Sequence, residues 1–158
     1  EHVQGFFYPL DAVREWNRAY GRRGFLQYQF VVPDDATDVV TDIVGQIVAR
    51  RCGSFLNVLK RLGPGNQGPL SFPRAGWTLA VDLPVSSSGS GLGALLRAWD
   101  DQIVEAGGRV YLTKDGRLSP ASFRRMYPRW EEFASLRDEV GARGRFVSDL
   151  SRRIGLEE

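Results

Sequence analysis

The chain has 158 residues, of which 42% are hydrophobic and 25% are charged, the balance of an ordinary globular protein and not of a disordered one. The formal net charge of +2 is too small to indicate a nucleic acid as partner, and the single cysteine, Cys52, excludes an intrachain disulfide. No apolar run approaches the roughly 18 residues that a membrane-spanning helix needs.

The chain starts at Glu1, without a methionine or a signal peptide, and we expect a fragment or a processed piece of a longer protein. An apolar lead-in at residues 5–10 comes before the first predicted helix. Asp11 is suited to cap this short helix, because its side chain can accept hydrogen bonds from free backbone N–H groups. The apolar side of the helix is predicted at helical spacing, at Val13, Trp16 and Tyr20.

The clearest strand of the sequence lies at residues 25–32, FLQYQFVV, and is closed by Pro33. Successive side chains of a strand point to opposite faces, so one face is entirely apolar or aromatic. The other face carries Gln27 and Gln29. Two neighbouring amides indicate that this face meets water or a polar ligand.

The remaining predicted elements up to residue 113 are a helix at 36–51, strands at 54–60 and 77–85, a helix at 92–106 and a strand at 109–113. Asp34 and Asp35 are candidate N-caps of the first of these helices, and Gly53 is a candidate for its C-terminal turn. The prolines and glycines of residues 62–76 exclude regular structure there.

The order β-α-β-β-α-β predicts an α+β fold of ferredoxin-like type, an antiparallel sheet with both helices on one face. The apolar alternation of the third strand faces the helices, which leaves Thr78, Ala80 and Asp82 on the open face beside the two glutamines. The pattern of the second strand is ambiguous. We assign Lys60 to the open face, because a buried lysine needs an ion partner.

A helical C-terminal segment is predicted after residue 113. Ser119 and Pro120 are typical of a helix start, Trp130 and Phe133 mark a second helix, and a final short helix lies at 149–154. The aromatic residues of this segment either pack on the preceding domain or belong to a domain that other sequence completes. Its alternating arginines and acids predict a solvated helix face, and the alternative is a surface for an acidic or phosphate-bearing partner.

Few residues remain as candidates for chemistry. His2 lacks a second histidine or a nearby cysteine, so the sequence has neither a catalytic triad nor zinc-ligand spacing. Residues 88–93 are glycine-rich but lack the Lys-Ser/Thr of a phosphate-binding loop, and we interpret them as a linker. Cys52 is interpreted as a small hydrophobic residue. Lys114, directly after the fourth predicted strand, joins the polar open face as a candidate.

Several long segments resemble one enzyme family. They are FLQYQFVVP (25–33), SFLNVLKRLGPGNQGPLSFPRAGW (54–77), VDLPV (81–85), GGRVYLTKD (107–115), FRRMYPRWEEF (123–133) and FVSDLSRRIGL (146–156). The chain, from about Phe6 to Leu156, resembles the C-terminal part of the decaprenylphosphoryl-β-D-ribose 2-oxidases. These are flavoproteins of the vanillyl-alcohol-oxidase type from actinobacterial cell-wall synthesis.

The resemblance implies a division into two parts. Residues 1–108 would be the C-terminal portion of a substrate-binding (cap) domain, whose sheet covers the flavin. Residues 109–158 would return to a FAD-binding domain and pack on it. The rest of that domain would be an N-terminal portion, either in the same polypeptide or in a separate chain.

Residue by residue, the resemblance implies substrate-binding roles for Gln27, Gln29 and Lys60. Lys114 matches a lysine near both flavin and substrate, which implies a catalytic and a cofactor-binding role. Tyr111 matches a residue that lines the flavin.

Three positions depart from the well-known members of the family. Ala80 replaces a pocket cysteine, Thr78 replaces an asparagine and Phe7 replaces a tyrosine, and all three are expected to line the substrate site. Without the cysteine, thiol-directed covalent inhibition is not expected at this position. The other two changes remove hydrogen-bonding reach and leave the substrate open.

The implied function is oxidation of the 2-hydroxyl of polyprenylphosphoryl-ribose to a 2-keto sugar by hydride transfer to FAD, with no metal. A separate NAD(P)H-dependent keto-reductase would complete the epimerisation to the arabinose donor for cell-wall arabinan. The implied location is the periplasmic face of the membrane, in the cell envelope, with the membrane surface as a further partner. Two alternatives stay open: a paralogous flavin oxidase for another sugar or alcohol, and a non-catalytic ferredoxin-like module that binds a ligand.

Overall fold

The computed structural model describes residues 3, 7, 14–85 and 91–157. Of the predicted lead-in only Phe7 is described, and the predicted cap Asp11 lies outside the described residues. The part of the first predicted helix that is described forms a 3₁₀ turn at Trp16–Tyr20. Residues 88–90 of the predicted linker also lie outside the described part of the chain.

A four-stranded antiparallel sheet forms the centre of the fold. The strands are β1 Phe25–Val32, β2 Asn57–Leu62, β3 Gly76–Pro84 and β4 Arg109–Val110. They lie in the spatial order β2-β3-β1-β4. This pairing confirms the α+β architecture that the sequence predicts.

Two long helices, α1 (Thr37–Arg50) and α2 (Leu92–Glu105), cover one face of the sheet, and three shorter helices follow. Apolar side chains of both long helices share a core cluster with one set of alternating strand residues. Tyr28, Phe30 and Val32 of β1 belong to that set and are almost completely buried. Each such side chain contributes roughly 1.5–3 kcal/mol to folding. The described α-helices are α1 Thr37–Arg50, α2 Leu92–Glu105, α3 Pro120–Met126, α4 Trp130–Glu139 and α5 Asp149–Arg153.

The predicted bounds of α1, 36–51, agree with the structure to within one residue at each end, but its predicted capping residues are wrong. A 3₁₀ turn, Asp34–Ala36, precedes the helix, and no side chain caps it at Ala36. The Asp34 carboxylate instead accepts two hydrogen bonds from Arg61, at 3.0 and 3.1 Å. At the other end Arg51, with φ 51°, takes the left-handed conformation expected of Gly53.

Two strands differ in length from the sequence prediction. β2 begins at Asn57 because the Ser54 hydroxyl bonds both the N–H and the C=O of Leu56, at 3.1 and 3.2 Å, in a local turn. β4 ends at Val110, and the chain then turns through the 3₁₀ helix Leu112–Lys114.

The start of the C-terminal segment packs on the preceding sheet and helices. Ser119 caps α3 as predicted, because its hydroxyl accepts a hydrogen bond from the Ser122 N–H at 3.1 Å. Phe123 and Tyr127 are fully buried in the same core cluster as β1, and the Tyr127 hydroxyl donates to the Val110 carbonyl at 2.6 Å. The division at residues 108 and 109 stays a prediction.

Arg137 and Arg153 of this segment bind groups within the chain, Arg137 as a buried side chain and Arg153 as a partly buried one. Arg137 is 9% exposed and donates to the carbonyls of Leu156 and Phe146, at 3.0 and 3.1 Å, and to the Glu157 carboxylate at 2.9 Å. Arg153 donates to the Asp115 carboxylate at 2.7 Å. The prediction of a solvated arginine face is therefore wrong for these two side chains.

A buried polar network joins β1, α2 and the C-terminal segment. The Tyr28 hydroxyl donates to Asp100 at 2.8 Å, and Arg117 donates to the other oxygen of that carboxylate at 2.5 Å. Asp100 is 3% exposed, and burial raises the pKa of its carboxyl although the Arg117 guanidinium opposes the shift. Arg117 also donates to the Leu96 carbonyl at 3.1 Å.

We predict that Arg117→Met lowers the free energy of unfolding by about 3 kcal/mol, because it leaves a buried carboxylate without its cation. Arg97→Met is the matched control, since Arg97 is exposed on α2, the helix that carries Asp100. Urea denaturation of the protein measures both. Equal losses in the two variants would contradict a structural role for the network.

Candidate active site

The register of the sheet brings together the residues predicted for the site. The β1–β3 pairing sets Gln29 opposite Ala80, and the β2–β3 pairing sets Lys60 opposite Thr78. The assignment of Lys60 to the open face is thereby confirmed. The open face carries these predicted site residues: Gln27, Gln29, Lys60, Thr78 and Ala80.

Thr78 fixes the amide of Gln29. Its hydroxyl donates to the Phe30 carbonyl at 2.7 Å and is 1% exposed. Because that hydroxyl proton is committed, the oxygen can only accept from Gln29, whose Nε2 lies 3.1 Å away. No described residue binds the carbonyl oxygen of the Gln29 amide, which is thus left for a ligand.

A second network fixes Gln27 through Asp82. The Tyr20 hydroxyl donates to one oxygen of the Asp82 carboxylate at 2.8 Å, and the Gln27 amide donates to the other at 3.1 Å. Burial and the hydrogen bond to Asp82 raise the pKa of the Tyr20 hydroxyl, so it stays protonated and donates at neutral pH. The sequence prediction placed Asp82 on this face but missed Tyr20 as its partner.

Tyr111 lies beside Gln29 at the β4 edge of the sheet, and Lys114 lies shortly after it in the chain. The Tyr111 N–H donates to the Gln29 carbonyl at 2.8 Å, which puts these two residues side by side. The Tyr111 ring packs on Phe72, with 4.5 Å between the ring centroids. Lys114 ends the 3₁₀ turn that follows and is half-buried, and no described residue forms an ion pair with it.

The loop between β2 and β3 forms the rim of this edge. Phe72 is buried, and Arg109 donates to the neighbouring Ser71 carbonyl at 2.7 Å. The proline and glycine content of the loop predicts its irregular backbone but does not predict that Phe72 contacts Tyr111. Phe7, also expected in the site, is 66% exposed, and its role stays a prediction.

A group of aromatic side chains, of which two are exposed, lies at the opposite end of the sheet, beside the first residue of β1. We call Trp16, Tyr20, Phe25 and Phe55 the aromatic cluster. Tyr20 stacks on Phe25 with 4.2 Å between ring centroids and contacts Phe55 at 5.3 Å. Trp16 lies edge-on to Phe25 at 5.9 Å.

The polar side chains of the open face form one wall of the candidate site. Two cavities of the described chain lie elsewhere, one of about 380 Å³ within the C-terminal segment and one of about 440 Å³ between α2 and α3. In the described part of the chain no three histidine, cysteine or carboxylate side chains cluster as metal ligands, and no helix is long and apolar enough to cross a membrane.

The chemistry of the wall is that of a polyol and anion binder. Gln27 and Gln29 offer amide groups that both donate and accept hydrogen bonds, and Lys60 and Lys114 add positive charge on two sides.

The relatives found by comparison with known proteins include two curated bacterial proteins. The chain is 46% identical over 156 residues to the decaprenylphosphoryl-beta-D-ribose oxidase of Mycolicibacterium smegmatis, a match that covers 99% of this chain and 33% of that protein. It is 39% identical over 145 residues to a Streptomyces coelicolor protein named as an uncharacterized protein in the mprA 5′ region, covering 91% of this chain and 39% of that protein. No family model matches the chain.

The chain therefore spans only a third to two fifths of the length of these curated relatives. The first comparison confirms the resemblance indicated by the segments from 25–33 to 146–156. Over nearly its whole length, this chain is similar to one part of a decaprenylphosphoryl-ribose oxidase.

Proposed function

We propose that the chain is the C-terminal part of a FAD-dependent oxidase that converts the 2-hydroxyl of polyprenylphosphoryl-ribose to a ketone. The observation that carries the proposal is the open face itself. Every sheet residue that matches a site residue of the family lies there, although the residues are spread over three strands. The 46% identity to the oxidase from M. smegmatis supports the same conclusion.

Gln27 and Gln29 bind the sugar ring. A ribose rim presents several hydroxyl groups, and each amide can donate to one and accept from another. Asp82 and Thr78 are positioning residues, because they hold the two amides in one orientation before the ligand arrives. This preorganisation lowers the entropy that is lost on binding.

Lys60 binds the phosphate. It is exposed on edge strand β2 and lies across from Thr78, so its ammonium group can reach the ligand from the side of the sheet. A lysine acts here as a flexible point charge and does not require a fixed phosphate orientation.

Lys114 and Tyr111 fit one side of a flavin ring. Lys114 is a half-buried cation without a described ion partner, and Tyr111 offers an aromatic surface beside Gln29. FAD, when bound, supplies the electron acceptor for the oxidation. Lys114 would add positive charge beside it and so would stabilise negative charge there.

The remaining parts of the proposal rest on the family resemblance. The N-terminal portion of the protein holds the cofactor, and residues 109–158 pack against it. A keto-reductase that uses NAD(P)H consumes the product and completes an epimerisation to the arabinose donor of cell-wall arabinan. The site of action is the periplasmic face of the membrane.

The absorption spectrum of the full protein separates this proposal from a non-catalytic binding module. The module has one observation in its favour, the core that runs without a break from β1 to the buried Tyr127. Bound flavin that bleaches on addition of polyprenylphosphoryl-ribose supports the oxidase. A colourless protein that binds a ligand without oxidising it supports the module.

We predict that the only two lysines of the chain act on different steps. Lys114→Ala slows flavin reduction at saturating substrate by about 100-fold, because charge stabilisation in the transition state is lost. Lys60→Ala raises the half-saturating substrate concentration about tenfold and leaves the saturated rate close to normal, since it removes a charged contact to bound substrate.

Stopped-flow measurement of flavin bleaching tests both lysine variants. Each variant is the control for the other, because each removes one lysine side chain and leaves the other lysine in place. Unchanged reduction kinetics in Lys114→Ala would overturn its assigned role.

We also predict that Thr78→Val raises KM three- to tenfold and changes kcat by less than about twofold, because the Gln29 amide loses its acceptor. Thr41→Val on α1 is the matched control, since its hydroxyl contacts only the Thr37 carbonyl, at 3.5 Å. Steady-state oxidation kinetics give both constants. If the two variants raise KM equally, Thr78 does not position Gln29.

A further inference from the structure

We infer that the aromatic cluster and the adjoining part of β2 bind the polyprenyl tail of the substrate. This inference rests on the proposed function and adds a second binding surface to it. The surface lies outside the polar part of the open face, and its outer side chains are largely exposed: Trp16 by 46% and Phe55 by 70%.

The aromatic cluster is ordered from within. Tyr20 is 3% exposed and contacts both Phe25 and Phe55, with centroid distances of 4.2 and 5.3 Å. Trp16 closes the group, 5.9 Å from Phe25. A surface of this kind, apolar and rimmed by polar groups, marks an interaction site more often than a scattered exposed residue does.

Tyr20 joins this apolar surface to the sugar-binding groups. Its ring belongs to the aromatic cluster, while its hydroxyl donates to Asp82 at 2.8 Å. Asp82 in turn accepts from Gln27, so the polar and the apolar surfaces meet at one side chain. A ligand that is polar at one end and apolar at the other can contact both without leaving the sheet.

β2 supplies a path between the phosphate and the aromatic cluster. Lys60 and Val58 both lie on the open face, one opposite Thr78 and the other opposite Ala80. Leu56 and Phe55 come directly before the strand and are 38% and 70% exposed. Since a strand rises about 3.3 Å per residue, the part of this path from Lys60 to the start of β2 at Asn57 is roughly 10 Å long.

The order of side chains along this path is complementary to a ligand with an anionic head followed by an apolar chain. A cation stands at one end, apolar side chains follow, and aromatic rings stand at the other end. The relative from M. smegmatis is named for a decaprenylphosphoryl sugar, a molecule with that same order of groups. A covering protein segment would satisfy the apolar rings but would leave the path from Lys60 unexplained.

The test compares ribosyl phosphates with a long and a short isoprenoid tail, using the full protein in detergent solution. Phe55→Ser and Trp16→Ser are the test variants. Val48→Ser is the control, because Val48 is also 70% exposed but lies on α1, on the other side of the sheet. For each test variant we expect the ratio of KM for the long tail to KM for the short tail to rise about tenfold. The control keeps the wild-type ratio.

Three results would overturn the inference. An unchanged ratio in both test variants would show that the rings do not contact the tail. Equal changes with both substrates, together with a melting temperature well below that of Val48→Ser, would show that another part of the protein covers the rings. A wild-type protein that oxidises neither ribosyl phosphate would refute the proposed function itself, and the inference with it.

Discussion

The antiparallel register of β1 and β3 is the constraint on which the rest of the molecule depends. It runs from Phe25 opposite Pro84 to Val32 opposite Trp77. Because strand side chains alternate, a shift of one residue would turn Tyr28 and Phe30 outward and bury both glutamines. The helices hold the apolar set in place, and the open face is therefore polar as a consequence of how the core is packed.

The sequence predicts well the features that arise from a pattern within a single helix or strand. The order of elements, the inner face of β1 and the side of the sheet that Lys60 occupies all follow from alternation and from the cost of burying charge. The first residue of β2 and the left-handed conformation of Arg51 are not predicted, because they depend on local hydrogen bonds and turns. The stripe of apolar residues in α1 does not show at which residue the helix stops.

Contacts between distant segments were beyond such patterns. Tyr20 and Asp82 are 62 positions apart. The only indication in the sequence is the Asp82 carboxylate in an otherwise apolar strand, which needs a hydrogen-bond partner. The charged neighbours of Arg137 in the sequence predict a solvated side chain. Two of its three partners are instead backbone carbonyls, and a pattern of charged residues carries no information about carbonyl partners. The candidate site was therefore predicted as a set of residues, without the groups that hold them.

The buried Arg137 has a further consequence for the last part of the chain. By binding both the Leu156 carbonyl and the Glu157 carboxylate, it closes a loop of about 20 residues without a covalent bond. Closing such a loop lowers the conformational entropy of the chain. A disulfide imposes this loss already in the unfolded state, whereas the hydrogen bonds of Arg137 impose it only when the protein folds. The segment from α4 to α5 should accordingly form and open as one unit, and it should not fray gradually from its end.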